Sequence, residues 1–206
     1  MNHLKQLNYQ ATLLNETQNS DKKPFILTFD DGELNNFQEA WPVLKALDWK
    51  AYFFVIVDRI GTRGYLGWEE LKEMCKSGMV IGSHGLSHEI LTQLPDEQLE
   101  EELYTSKKNL EITLGMPIDS ISIPRGFCND HVIRKAYEAG YKYVFISSKP
   151  GNMKSECITR IAIKSDWSLK RFNQLLTGKT PLKEHLDNFL KNTLKIILSD
   201  SGYNWI

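Results

Sequence analysis

Apolar runs and amphipathic stretches alternate along this chain from residue 25 onward. The short apolar runs at 25–29, 51–57, 79–83, 120–123, 143–147 and 159–163 read as strands. Between them, 35–47, 68–77, 96–114 and 130–139 carry helical patterns. Leu94-Pro95-Asp96-Glu97 sets a proline and acidic residues at a helix start, and Gly78, Gly115 and Gly140 stand where helices should stop. Strands alternating with helices predict a mostly parallel sheet, either a barrel or a doubly wound sheet. Residues 1–23 read as a polar N-terminal helix or arm with Leu4, Leu7, Leu13 and Leu14 as one apolar edge. Residues 24–206 read as one domain, closed by a helix over 182–206 packed on its outside.

Composition narrows the function more than the fold. A length of 206 residues with 41% hydrophobic and 25% charged positions suits one soluble domain with a sizeable core. A formal net charge of -1 leaves no footprint for nucleic acid or an anionic membrane surface. Cys75, Cys128 and Cys157 are widely spaced and form no Cys-x-x-Cys pair, which fits a reducing compartment. With no apolar signal segment and no run of ~18 apolar residues, the expected location is cytoplasmic, without a membrane span. An exported chain trimmed of its signal would read the same.

The chemistry concentrates at two strand ends. Phe25-Ile26-Leu27 leads into Thr28-Phe29-Asp30-Asp31-Gly32, and Met79-Val80-Ile81-Gly82-Ser83 leads into His84-Gly85-Leu86-Ser87-His88. Ionised carboxylates at the end of a buried strand are costly unless paired or bound to a metal. Alone, an Asp pair can cap a helix or turn, and His-x-x-x-His on a helix merely puts two rings on one face. Together they supply a ligand carboxylate, two imidazoles and a spare carboxylate able to act as a base, the parts of a hydrolytic metal site. All these residues fall after a strand and before a helix, the face on which β/α barrels carry their active sites.

These segments resemble a known family, the NodB-type polysaccharide deacetylases, also called carbohydrate esterase family four. Thr28–Gly32 is similar to that family's first motif, Ser83-His84-Gly85-Leu86-Ser87-His88 to its second, and Pro124-Arg125-Gly126 to its third. Gly140-Tyr141-Lys142-Tyr143 fits the sequence that follows the third motif's helix, so the likeness spans roughly 24–165. It implies a distorted (β/α) barrel of about seven parallel strands with outer helices. It implies that Asp31, His84 and His88 bind a divalent metal, Zn2+ first, with Co2+, Ni2+ or Mn2+ as alternatives. Asp30 would be the general base for water attacking a linear amide, and the Arg125 backbone N–H would stabilise the oxyanion. Pro124, Gly126 and Phe127 would line the substrate site. Trp68, Tyr65, Phe127 and Trp167 are candidates for a stacking platform under a sugar ring, with helix-start packing an equal reading for Trp167. Trp41 and Trp49 read as packing helix against sheet, and 59–67, with three glycines, as a loop able to line or cover the pocket.

Two departures stand out. Many members carry an arginine two residues before the motif-three proline, where this chain has Ser122. Arg160, in Thr159-Arg160-Ile161, is expected to reach Asp30 instead, with Arg125 as the second candidate and an ordinary surface salt bridge as the alternative for either. The family's late Leu-x-His element has no clear counterpart: His185 reads as an exposed helical residue and His131 as a cap or surface residue. Asp30 would then serve as base and afterwards as acid, or the leaving group would need less help. The expected activity is removal of an N-acyl group, N-acetyl first, from an amino sugar in a glycan or glycan precursor. A hydrolase of a small non-sugar amide or imide on the same fold and a non-catalytic glycan-binding protein remain as alternatives. A binder, however, has no use for Asp30 beside the ligand Asp31.

Overall fold

The computed structural model describes residues 1–16, 21–147 and 153–177, in two compact units, Met1–Ile161 and Ala162–Ile206. In the first unit, helix α1 (Asn2–Gln6) leads to β1 (Tyr9–Ala11), which pairs in parallel with β2 (Lys23–Phe25). A six-stranded sheet follows: β3 (Thr28–Phe29), β4 (Tyr52–Val55), β5 (Val80–Ser83), β6 (Ser120–Ser122), β7 (Tyr143–Ile146) and β8 (Ile158–Thr159). The strands lie in chain order and every neighbouring pair is parallel. Successive crossovers carry α2 (Trp41–Leu47), α3 (Trp68–Lys76), α4 (Asp96–Leu114) and α5 (Asp130–Glu138). This is the strand–helix repeat of a β/α barrel, here a curled open sheet with outer helices.

Local chemistry explains the elements. All four residues of β4 are buried, as a strand covered on both faces requires. The Asn129 side chain accepts from the Val132 amide at 2.9 Å to start α5, and α4 ends at Gly115 with φ 68°. Tyr52, Phe54 and Phe145 form a core cluster with Leu13, Leu14, Ile26, Val80 and Ile158 packed against it. The curl shows at the two edges: just past β8, Arg160 donates to Thr28 Oγ1 of β3 at 3.0 Å, with its guanidinium 5.5 Å from the Phe54 ring centre.

Several expectations need correction. The run 25–29 is not one strand: β2 ends at Phe25 in one sheet and β3 begins at Thr28 in the other. The 1–23 segment is not a separate polar arm. Leu4 and Ala11 are buried, β1 pairs with β2 across the expected boundary at 23/24, and Leu13 and Leu14 pack on the core. Helix 35–47 opens as a π-turn, Asn36–Ala40, before α2. Strand 159–163 shortens to β8, although Arg160 still donates its amide to Ile146 O at 2.9 Å. The second unit contains α6 (Leu169–Leu176), capped by the Ser168 hydroxyl, and the helix expected over 182–206 lies outside the described residues. Among the described residues, no helix is long and apolar enough to cross a membrane.

Candidate active site

Asp30 and Asp31 follow β3, His84 follows β5, Ser122 ends β6 and Arg160 follows β8, so all meet at the carboxyl ends of the strands. The backbone there is held in costly conformations. Asp31 (φ 71°), His88 (φ 72°) and Arg125 (φ 56°) are three of the five non-glycine residues with positive φ among the described residues. Gly32 also has φ 74°, and a Cβ on it would stand 2.8 Å from Val55 Cγ1, so glycine is obligatory there. Leu66 N–H donates to Gly32 O at 2.9 Å and Leu34 N–H to Gly64 O at 2.8 Å. The glycine-bearing 59–67 loop is thus bonded to the turn after the Asp pair. His84 and His88 sit on a loop, not on one face of a helix.

The side chains of Asp31, His84 and His88 converge, each offering a ligand atom within 4.8 Å of the others. Asp31 Oδ1 lies 3.4 Å from His84 Nε2 and 3.4 Å from His88 Nε2. Two donors each ~2.1 Å from one tetrahedral divalent ion stand ~3.4 Å apart, so the donor set fits such a cation. His84 Nδ1 lies 2.7 Å from Ser122 O, and a carbonyl can only accept. The proton therefore sits on Nδ1, and Nε2 presents its lone pair to the centre. Burial is the main reason both imidazoles stay neutral: it pulls His84 below its usual range and His88 down to about 4.

That shift carries a stability prediction. A histidine that resists protonation only when folded lets the unfolded chain take up protons first. Stability is then complete above pH ~6.5 and falls as pH drops towards about 4. For His88 alone the loss is ~3 kcal/mol. Urea unfolding of metal-free protein across this range should show it, and His88→Gln should flatten the slope by about one proton. An unchanged slope in the variant would contradict the assignment.

Asp30 stands beside the three. Its Oδ2 lies 4.0 Å from His84 Nε2, and Arg160 grips the carboxylate with both arms, NH1 to Oδ1 at 2.7 Å and NH2 to Oδ2 at 2.8 Å. The fork–fork geometry makes this a strong, orienting pair. NH2 also donates to Ser122 Oγ at 2.6 Å, and Ser122 Oγ donates to Asp30 Oδ2 at 3.3 Å. The small serine thus leaves space for a guanidinium arriving from β8. Burial pushes the Asp30 pKa up, but the Arg160 hydrogen bonds and the nearby positive charge outweigh it and hold the group below its ordinary value. With His84 neutral, Arg160 is the cation that counts at neutral pH.

The Arg125 side chain does not reach Asp30; it is exposed and its Nε donates to His88 O at 3.3 Å. Pro124 is buried at the head of the Pro124–Gly126 turn, beside Gly85. Gly126 has φ 71°, and a Cβ there would stand 3.1 Å from Ser147 Cβ. Phe127 and Trp68 are half-buried, Trp68 at the first position of α3. Arg59 donates to the Tyr65 hydroxyl and stacks over its ring. Trp167 belongs to the second unit, where Arg171 lies 4.3 Å from its ring centre. His131 has both ring nitrogens engaged, by Asp96 and Arg134, each at 2.8 Å; His185 lies outside the described residues.

Sequence reasoning passed over Glu102, whose carboxylate accepts from the Leu86 amide at 2.8 Å and the Ser87 amide at 3.1 Å. The signal was present: Glu102 falls in helical phase with Leu99, Leu103, Ser106 and Leu110, the buried face of α4.

Comparison with known proteins agrees with this geometry. The polysaccharide deacetylase family model matches residues 17–144. YxkH of Bacillus subtilis strain 168 is 35% identical over 141 residues, 68% of this chain and 50% of its own. A peptidoglycan-N-acetylglucosamine deacetylase of Bacillus cereus is 32% identical over 129 residues, 62% of this chain and 58% of its own. The chain thus spans little more than half the length of these relatives. The structure of the Streptococcus pyogenes deacetylase PplD in complex with acetate superposes with a TM-score of 0.74 at 26% identity, covering 87% of this chain and 84% of that one. Motif order, site geometry and family match agree: this chain belongs to the polysaccharide deacetylase family.

Proposed function

We propose that this chain hydrolyses the N-acetyl group of an amino sugar in a glycan, using a divalent cation, zinc first, held by Asp31, His84 and His88. One observation carries the reading: a charged carboxylate, Asp30, is locked by Arg160 beside a cluster of two neutral histidines and one aspartate. When bound, the cation supplies Lewis acidity, polarising the acetyl carbonyl and making water more acidic. Asp30 takes the proton of the attacking water on Oδ2, the oxygen on the His84 side, as the new C–O bond forms. The Arg125 backbone N–H donates to the oxygen on which charge develops. The same proton then passes from Asp30 to the amine nitrogen as the C–N bond breaks, giving acetate and a free amino sugar. Arg160 and Ser122 hold the Asp30 carboxylate in one orientation throughout. Phe127 and Trp68 are the proposed apolar contacts for the sugar. The Bacillus cereus relative, named for peptidoglycan N-acetylglucosamine, supports this substrate class.

The test is acetate release from N-acetylglucosamine oligomers and from peptidoglycan by metal-stripped protein, before and after adding Zn2+ or Co2+. Release that depends on the added ion is the expected result. No release from either substrate with either ion, or equal release without one, overturns the proposal.

A further inference from the structure

We infer that Glu102 is a positioning residue for the two histidines, holding the loop between them and supplying negative charge behind it; this rests on reading the cluster as a metal site. Glu102 is only 6% exposed. Its Oε2 accepts from Leu86 N–H at 2.8 Å and Ser87 N–H at 3.2 Å, and its Oε1 accepts from Ser87 N–H at 3.1 Å and from the Ser87 hydroxyl. All four contacts fall on the two residues just before His88. From the other side, the Val57 and Asp58 amides donate to Gly85 O at 3.3 Å and Leu86 O at 2.9 Å. The loop's own carbonyls and amides are thus both taken by neighbouring elements, and His88, at φ 72°, is placed by them.

Two further features fit. The Gly85 position has φ 79°, and a Cβ there would meet Glu102 Oε2 at 3.0 Å, so the glycine lets the carboxylate approach. No lysine, arginine or histidine pairs with Glu102 among the described residues. A buried carboxylate without a cationic partner is costly even when hydrogen-bonded. Two neutral imidazoles and one aspartate leave a bound divalent ion with net positive charge, which Glu102, bonded to the loop that carries both histidines, offsets.

Glu102→Gln keeps the shape but removes the charge and turns one acceptor into an N–H2 group facing amide donors. We expect Zn2+ and Co2+ to bind 10–100-fold more weakly, measured by chelator competition. The Co2+ visible absorption should change, and the metal-induced rise in Tm should shrink, beyond any change in metal-free Tm. Affinity and Co2+ spectrum equal to wild type overturn the inference, as does a Tm loss that is the same with and without metal. Should that variant fail to fold, Ser87→Ala removes only the hydroxyl donor; several-fold weaker binding supports the role and unchanged binding overturns it. Wild-type protein that binds the ion yet releases no acetate would sink the deacetylase reading and leave this one standing.

Discussion

Asp30→Asn is expected to lower kcat by about 10³-fold while the protein still binds its cation, because the variant removes the proposed proton acceptor and leaves the ligands alone. The carboxylate stands beside the cluster without being one of its ligand candidates, with Oδ2 4.0 Å from His84 Nε2. A carboxamide cannot take a proton from water at working pH. The substitution also disturbs the clamp: Arg160 offers only donors, and one arm of an asparagine is a donor too. Arg160, whose side chain is 13% exposed, would then carry a buried charge facing a neutral group. Some loss of stability should accompany the loss of rate, so cation content and circular dichroism belong beside the kinetics. A kcat within tenfold of wild type, with the cation bound, would remove Asp30 from the proton-transfer role.

How much of this was legible beforehand varies by residue. The strand–helix alternation and the places of β4, β5, β6 and β7, to within one or two residues, follow from short apolar runs, because a parallel strand buried on both faces leaves little else for the sequence to say. The break at Ile26 and Leu27 was not legible: both are apolar, and only the pairing of β2 with β1, against β3 with β4, divides the run. The N-terminal segment misled for a related reason. Its apolar residues are few and dispersed, yet Leu4, Ala11, Leu13 and Leu14 each find the core through tertiary contacts. The Asp and His pairs stood out because each closes an apolar strand. Arg160 entered only through the serine at 122, a departure from a resembled pattern; no local signal ties a residue to another 130 positions earlier. Glu102 was masked by Glu100 and Glu101, and helical phase alone separates it from them. The left-handed backbone at Asp31 and His88 leaves no mark in composition, since neither is glycine.

Arg160 should govern the acid side of the activity profile as well as its height. Burial alone drives Asp30 towards the neutral acid, and Arg160 is the main opposing influence. In Arg160→Ala the largest opposing influence is gone, so the Asp30 pKa rises and the base is protonated over more of the acid range. The acid limb of kcat/KM against pH should therefore move to higher pH. At neutral pH kcat/KM should fall ~10²-fold, since a carboxylate freed from its two aligned guanidinium contacts no longer points one way. Arg160→Lys separates the two effects. A point charge keeps part of the pKa depression but cannot bond both carboxylate oxygens, Thr28 and Ser122 at once, so the rate should fall with a smaller shift of the limb. Stability gives the independent readout. Breaking a largely buried pair costs ~3 kcal/mol here, the low end of the usual range because Asp30 is 31% exposed. For a domain of this size that is ~6–12 °C in Tm. Because the Asp30 pKa is depressed in the folded wild type, this contribution is complete above the ordinary carboxylate value of 3.8 and fades as pH falls through the folded value. The Tm gap between wild type and Arg160→Ala should thus close in acid. A gap that stays constant down to low pH would mean that Arg160 stabilises by packing over Phe54 and Phe145, and not through Asp30.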